Sequence, residues 1–195
     1  MHPLLLHIPT SLETERLHLR AYREGDGREY FAMIRKNREH LAHVMPDFVL
    51  GLKDEEEAEI LIRHWMADWA ARNRFCLGMW EKEEGGFAGE IYIQAMDWEV
   101  PVIELGYYAE VDHQGRGLVS EAVGAALDFI FGHLGAHKVC VTCDNANVKS
   151  HRVAERCGFV EEGLLRDQKR RPDGTFISSK FYGMLRGDYE ALGKT

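Results

Sequence analysis

The chain has 195 residues, 45% of them hydrophobic and 29% charged, with a formal net charge of −8. That is enough chain for one well-buried α/β domain, while the acidic balance argues against nucleic-acid binding, which needs a basic footprint. The charge suits a cationic partner such as an amine, a polyamine or a basic peptide, although a merely soluble surface shows the same balance. No apolar run reaches the length of a bilayer span, so no membrane partner is expected. Met1-His2-Pro3-Leu4-Leu5-Leu6-His7 lacks the basic start and the apolar core of a secretory signal. Cysteines 76, 140, 143 and 157 are too sparse for a disulfide scaffold, which points to a cytoplasmic chain with reduced thiols.

Taken in order, Glu13-Thr14-Glu15-Arg16-Leu17-His18-Leu19-Arg20 alternates from Thr14 as a half-buried strand does. Tyr30, Phe31, Ile34, Leu41 and Val44 fall at helical spacing between about Asp26 and Met45, as two short helices ended by Pro46-Asp47. Lys53 to Asn73 reads as a third helix, with Asp54-Glu55-Glu56-Glu57 favouring its dipole. Its apolar stripe runs through Ala58, Leu61, Ile62, Trp65, Met66 and Trp69. Two strands, Phe75 to Glu81 and Phe87 to Met96, flank the hairpin signal Glu83-Glu84-Gly85-Gly86. Trp65, Trp69 and Trp98 read mostly as core, although Trp98 falls in a strand-end loop that could face a ligand. A further strand, Val102 to Glu110, leads into Gln114-Gly115-Arg116-Gly117-Leu118-Val119-Ser120.

The helix that follows, about Gly115 to His133, buries Val119, Ala122, Val123, Ala126, Leu127, Ile130 and Phe131. Lys138 to Asp144 is another strand, on which the odd separation of Cys140 and Cys143 sends their side chains to opposite faces. With no second cysteine pair and no H-x-x-x-H on a helix, no metal site is expected. Asn147 to Arg156 is a short helix closed by Gly158, which suits a left-handed cap. Two last strands surround the turn Arg171-Pro172-Asp173-Gly174. Neither repeat nor linker interrupts this: one mixed α/β domain spans residues 1–195, with its core at about 12–187.

The glycine loop places free N–H groups at a helix start, where an anion binds. It matches neither G-x-x-x-x-G-K-[ST] nor G-x-G-x-x-G, and taken alone it is equally well a tight turn without a ligand. Its neighbours decide. The run Leu105 to Ala122, then Asn147-Val148-Lys149-Ser150, Arg156-Cys157-Gly158-Phe159 and Glu161-Glu162-Gly163-Leu164-Leu165-Arg166 resemble the GNAT superfamily of acyl-CoA-dependent N-acyltransferases. Within it they resemble the branch containing the ribosomal-protein N-terminal acetyltransferases (RimJ/RimL-type). The likeness covers about residues 12 to 187.

This resemblance implies a mixed, mostly antiparallel, splayed sheet of about six to seven strands flanked by helices. It implies acetyl-CoA as co-substrate, without a metal, and an amine acceptor, either a small molecule or a protein N-terminus. The family's Q/R-x-x-G-x-G/A loop falls on Gln114, Gly117 and Val119, with Val119 replacing the usual small residue. The pyrophosphate would be held by main-chain N–H groups of Gly115, Arg116, Gly117, Leu118, Val119 and Ser120, with Arg116 also able to meet a phosphate. Pantetheine would pair with strand amides near Tyr107, Tyr108 and Ala109, in a gap between that strand and Val139 to Cys143. Pairing of exposed sheet edges into a homodimer is common in this branch, and the sequence itself does not show it.

For the chemistry, a Tyr seven residues after the Asn is usual in many members, but that position holds Ala154. The branch's Asn-x-x-Ser is matched by Asn147 and Ser150, making Ser150 the candidate acid and Asn147 a pantetheine ligand. Both residues also suit an ordinary helix start. Nineteen residues after Ser150, where some members carry a Glu, stands Lys169, which cannot serve as a base. Glu104 is the candidate base, beside a water-relayed deprotonation needing no dedicated side chain. Ala154 and Lys169 keep open an alternative function, a catalytically weak CoA-sensing module.

Overall fold

The computed structural model describes residues 2–44, 51–83, 85–171 and 173–193. The expected break at Pro46-Asp47, Glu84 of the hairpin signal and Pro172 of the last turn lie outside them. Among the described residues eight strands form one sheet: β1 (Ser11–Glu13), β2 (Leu17–Ala21), β3 (Phe75–Glu81), β4 (Phe87–Asp97), β5 (Val102–Ala109), β6 (Lys138–Asp144), β7 (Val160–Arg170) and β8 (Phe176–Leu185). Their order is β1-β2-β3-β4-β5-β6-β8-β7. All neighbours are antiparallel except β5 and β6, which run parallel.

The sheet thus exceeds the six to seven strands expected. Part of the excess is the three-residue β1, too short to leave an alternation in sequence. The first strand of the alternating run also begins at Leu17 rather than Thr14. Thr14 turns the chain between β1 and β2, its hydroxyl donating to the Leu17 carbonyl at 3.3 Å.

Helices cover both faces. On one side lie α1 (Gly27–Lys36), α2 (Arg38–Val44) and α3 (Glu55–Ala71); on the other lies α4 (Leu118–Gly132), with α5 (Val148–Arg156) and α6 (Arg186–Ala191) following β6 and β8. Helix α3 starts where Asp54 accepts from the Glu57 N–H, a side-chain cap that stabilises by about 1 kcal/mol. It buries Ala58, Ile62 and Trp65. Met66, expected on the stripe, is exposed, because only the narrower arc through residues 58, 62 and 65 meets the sheet.

Alternation along the strands splits the core in two. Ile91, Ile93, Ile103 and Leu105 pack with α4, whereas Cys76 and Tyr108 join Tyr22, Tyr30 and Trp65 beneath α1 and α3. Among the described residues no helix is long and apolar enough to cross a membrane, and no three metal-ligating side chains converge.

Candidate active site

The parallel β5–β6 ladder holds only Val102–Lys138, Ile103–Val139 and Glu104–Cys140 in register. Beyond Glu104 the strands diverge. In a strand, successive N–H and C=O groups alternate between its two edges. The β6-side edge of Leu105–Ala109 is therefore left with unused donors and acceptors, while its other edge pairs with β4. The divergence opens a cleft of about 920 Å³, lined among others by Glu104, Gly106, Tyr107, Cys143, Asn147 and Ser150.

At one end of β5 the chain makes a short 3-10 turn (Val111–His113) and enters the glycine loop. Glu110 anchors this passage: it accepts from the Asp112 N–H at 2.8 Å and pairs with Lys36 at 2.8 Å. Gly115 and Gly117 have φ of +75° and +80°, a region other residues enter at a cost. Gly117 is the N-cap of α4 and supplies no side-chain cap. The main-chain N–H groups from Gly117 to Ser120 consequently have no acceptor among the described residues, and the first helical bond is Glu121 N–H to Gly117 O. A Cβ built at Gly115 would meet nothing within 4 Å. The loop is open on the side from which an anion would approach.

The side chains around this loop do not all play the expected parts. Val119 packs against the α4 core, so it does not crowd the loop, and its N–H stays available. Leu118 is buried, and the Ser120 hydroxyl is buried without a hydrogen-bond partner among the described residues, so both offer the loop only main chain. The Arg116 guanidinium is engaged by Glu81 at 2.5 Å. Arg16, which the sequence did not single out, bonds the Arg116 carbonyl at 2.9 Å and Glu121 at 2.6 Å, bracing the loop. Gln114 bridges His40 at 2.9 Å and Lys149 at 2.7 Å.

Across the cleft, Asn147 caps α5 by accepting from the Ser150 N–H at 3.1 Å. This is the plain structural role open to it, and it also fixes where Ser150 sits. The Ser150 hydroxyl donates to the Tyr107 hydroxyl at 3.3 Å, and Tyr107 donates back to the Ser150 carbonyl at 3.1 Å. Burial pushes the Tyr107 phenol well above its usual range, so it remains a proton donor at neutral pH. Ala154 is wholly buried in the core, so that position contributes no proton donor. Tyr108, by contrast, turns its side chain into the second core beneath α1 and can offer a ligand only main chain.

Two of the carboxylates lining the cleft stand on β5 and β4. Glu104 on β5 is half-buried, and its side chain has no hydrogen bond among the described residues. Glu90 on β4, not anticipated, is only 4% exposed and accepts from the Tyr22 hydroxyl at 2.6 Å. Burial raises its pKa to about 8, against the pull of the Tyr22 bond and the Arg74 charge. Its one sequence signal was a charge inside the apolar run Phe87 to Met96. Lys169 also lines the cleft. Trp98 does not: it packs on the core, its indole N–H donating to the Arg72 carbonyl at 3.3 Å.

The model of the acetyltransferase (GNAT) domain matches residues 16–160. The ribosomal-protein-serine acetyltransferase of Escherichia coli (strain K12) is 33% identical over 63 residues, 32% of this chain and 35% of that protein. The spermidine N(1)-acetyltransferase of Vibrio cholerae is 33% identical over 75 residues, 38% of this chain and 40% of that one. Among solved structures, a RimL ribosomal L7/L12 acetyltransferase in complex with coenzyme A superposes with a TM-score of 0.81. It is 19% identical, with 91% of this chain and 97% of that chain covered. The microcin C7 self-immunity acetyltransferase MccE, in complex with acetyl-CoA and AMP, also gives 0.81, at 23% identity and the same coverage. At these identities the structural likeness is one of fold. The family match spans most of the chain and contains the diverging strands and the open helix start, and the protein therefore belongs to the GNAT acetyltransferases.

Proposed function

We propose that this N-acetyltransferase binds acetyl-CoA in the β5–β6 divergence and passes the acetyl group directly to a primary amine within a ternary complex. One arrangement carries this reading: the unused strand edge at Leu105–Ala109 and the Ser150–Tyr107 hydroxyl pair meet at one cleft, and the same strand runs on through Val111–His113 to the free N–H groups at Gly117–Ser120. Pantetheine would complete the strand edge, and the pyrophosphate would meet the start of α4, where main-chain donors and the helix dipole favour an anion. Asn147 and Ser150 face the thioester end.

Glu104 takes the proton that the ammonium must lose before its nitrogen can attack the thioester carbonyl. The oxyanion accepts from a main-chain N–H of Leu105–Tyr108. As the C–S bond breaks, Ser150, backed by the Tyr107 hydroxyl, gives the departing thiolate a proton and regains one from the new amide nitrogen, which sheds its second proton, so the products are the N-acetyl amine, CoA thiol and the proton held by Glu104. Relatives named for a ribosomal protein and for spermidine keep a protein N-terminus and a small amine both in view as acceptors. Acetyl-CoA turnover against a panel of amines, followed with a thiol reagent, tests the reading. Thiol release that needs an amine is expected; CoA binding without release for any amine would contradict it.

A further inference from the structure

Resting on that acetyl-transfer reading, we infer that the acceptor carries an anionic group, a carboxylate or phosphate, close to its amine, and that Arg74 receives it. Arg74 immediately precedes Phe75, which pairs with Ile93; one further step of the same register brings it abreast of Gln94, and Gln94 pairs with Glu104. Arg74, just ahead of β3, therefore stands abreast of Gln94 on β4 and Glu104 on β5, and all three line the cleft. At about 4.8 Å per strand, roughly 10 Å separates the backbones of Arg74 and Glu104. That gap lies within reach of one small molecule held between two long side chains.

The balance of committed and uncommitted charge supports this. Arg171 is paired with Asp144 at 2.5 Å, and Glu90 is bonded to Tyr22. Glu39 also has a partner. Three charged side chains lining the cleft have no hydrogen bond or ion pair among the described residues: Glu104, Arg74 and, on the opposite arm of the splay, Lys169. Glu104 answers the ammonium. When CoA and acceptor displace water from the cleft, the two remaining cations need an anion, since a desolvated charge without a partner is costly. An acceptor without an anionic group brings neither cation a hydrogen-bonded counter-charge, and a polyamine adds charge of the same sign. A planar guanidinium suits a carboxylate or a phosphate through paired hydrogen bonds.

The test compares acceptors matched in everything but the anion. Each α-amino acid is assayed beside its carboxamide, phosphoethanolamine beside ethanolamine, and spermidine as the polyamine, by thiol release from acetyl-CoA. The expected result is at least one anionic acceptor favoured about tenfold or more in kcat/KM over its neutral counterpart. The amino-acid and phosphate arms show which anion is used. Arg74→Gln should erase the preference by raising KM with kcat nearly unchanged, as loss of a binding contact does, and Arg74→Lys should restore part of it. Thermal melts verify that both variants fold. Equal turnover of neutral amines or spermidine, or a preference that survives Arg74→Gln, would overturn this inference and leave acetyl transfer standing. Absence of thiol release with every acceptor would overturn both.

Discussion

Ser150 and Tyr107 are joined by two hydrogen bonds across the opening of the sheet: hydroxyl to hydroxyl at 3.3 Å and Tyr107 hydroxyl to Ser150 carbonyl at 3.1 Å. They tie the start of α5 to the free arm of β5 and place two proton donors at one point of the cleft. Tyr107→Phe removes one donor and keeps the ring. It should lower kcat roughly tenfold while CoA affinity stays within about twofold, measured by steady-state kinetics and titration calorimetry. An unchanged kcat would show that Ser150 acts alone.

Glu104→Gln should reduce kcat/KM about 10²-fold at neutral pH, the usual scale for a lost general base. The defect should shrink as pH rises toward the acceptor's own pKa, because more of the amine then arrives already neutral. Rates from pH 6 to 10 test this. A uniform loss at every pH would instead mark Glu104 as a binding or structural group.

Glu90 makes the fold pH-dependent. Its pKa is about 8 in the folded chain against an ordinary 4.5. Below pH 4.5 both folded and unfolded chains keep the proton, and its contribution is complete. Between 4.5 and 8 only the unfolded chain releases it, so stability falls as pH rises, by up to about 5 kcal/mol across that span. Glu90→Gln cannot titrate. Its Tm relative to the wild type should therefore climb by about 7–14 °C between pH 5 and pH 8, read by differential scanning calorimetry. A constant difference would contradict the shifted pKa.

Much of this was legible in the sequence because local chemistry decided it. Gly117 has the positive φ that a tight strand-to-helix entry asks of glycine, and Asn147 caps α5 as an Asn at a helix start does. What escaped depended on contacts far apart in the chain. Glu90 is set apart by Tyr22, 68 residues away, and Arg16 braces a loop a hundred residues on. No periodicity encodes either contact. The net charge of −8 suited a cationic partner or simply a soluble surface, and it gave no sign of Arg74 and Lys169, which line the cleft without an ion pair among the described residues. A whole-chain sum does not report the local field in a cleft.

The loop itself separates main chain from side chain. Val119→Ala should leave CoA affinity within about twofold, because that side chain packs into the core, at a cost of about 1 kcal/mol in stability. Gly117→Ala puts a Cβ at φ +80° on the loop and should weaken CoA binding about tenfold or more by distorting the donors. Titration calorimetry with CoA distinguishes them. Equal losses for both would mean that the side chain of Val119, not the backbone, meets the ligand.

The decisive measurement is Ser150→Ala, assayed for both acetyl transfer and CoA affinity. If the cleft is a catalytic site with Ser150 as its acid, kcat should fall about 10²-fold while the CoA dissociation constant stays within about twofold. Turnover undiminished in the variant, or lost only in step with CoA binding, would contradict that account and favour a CoA-sensing module.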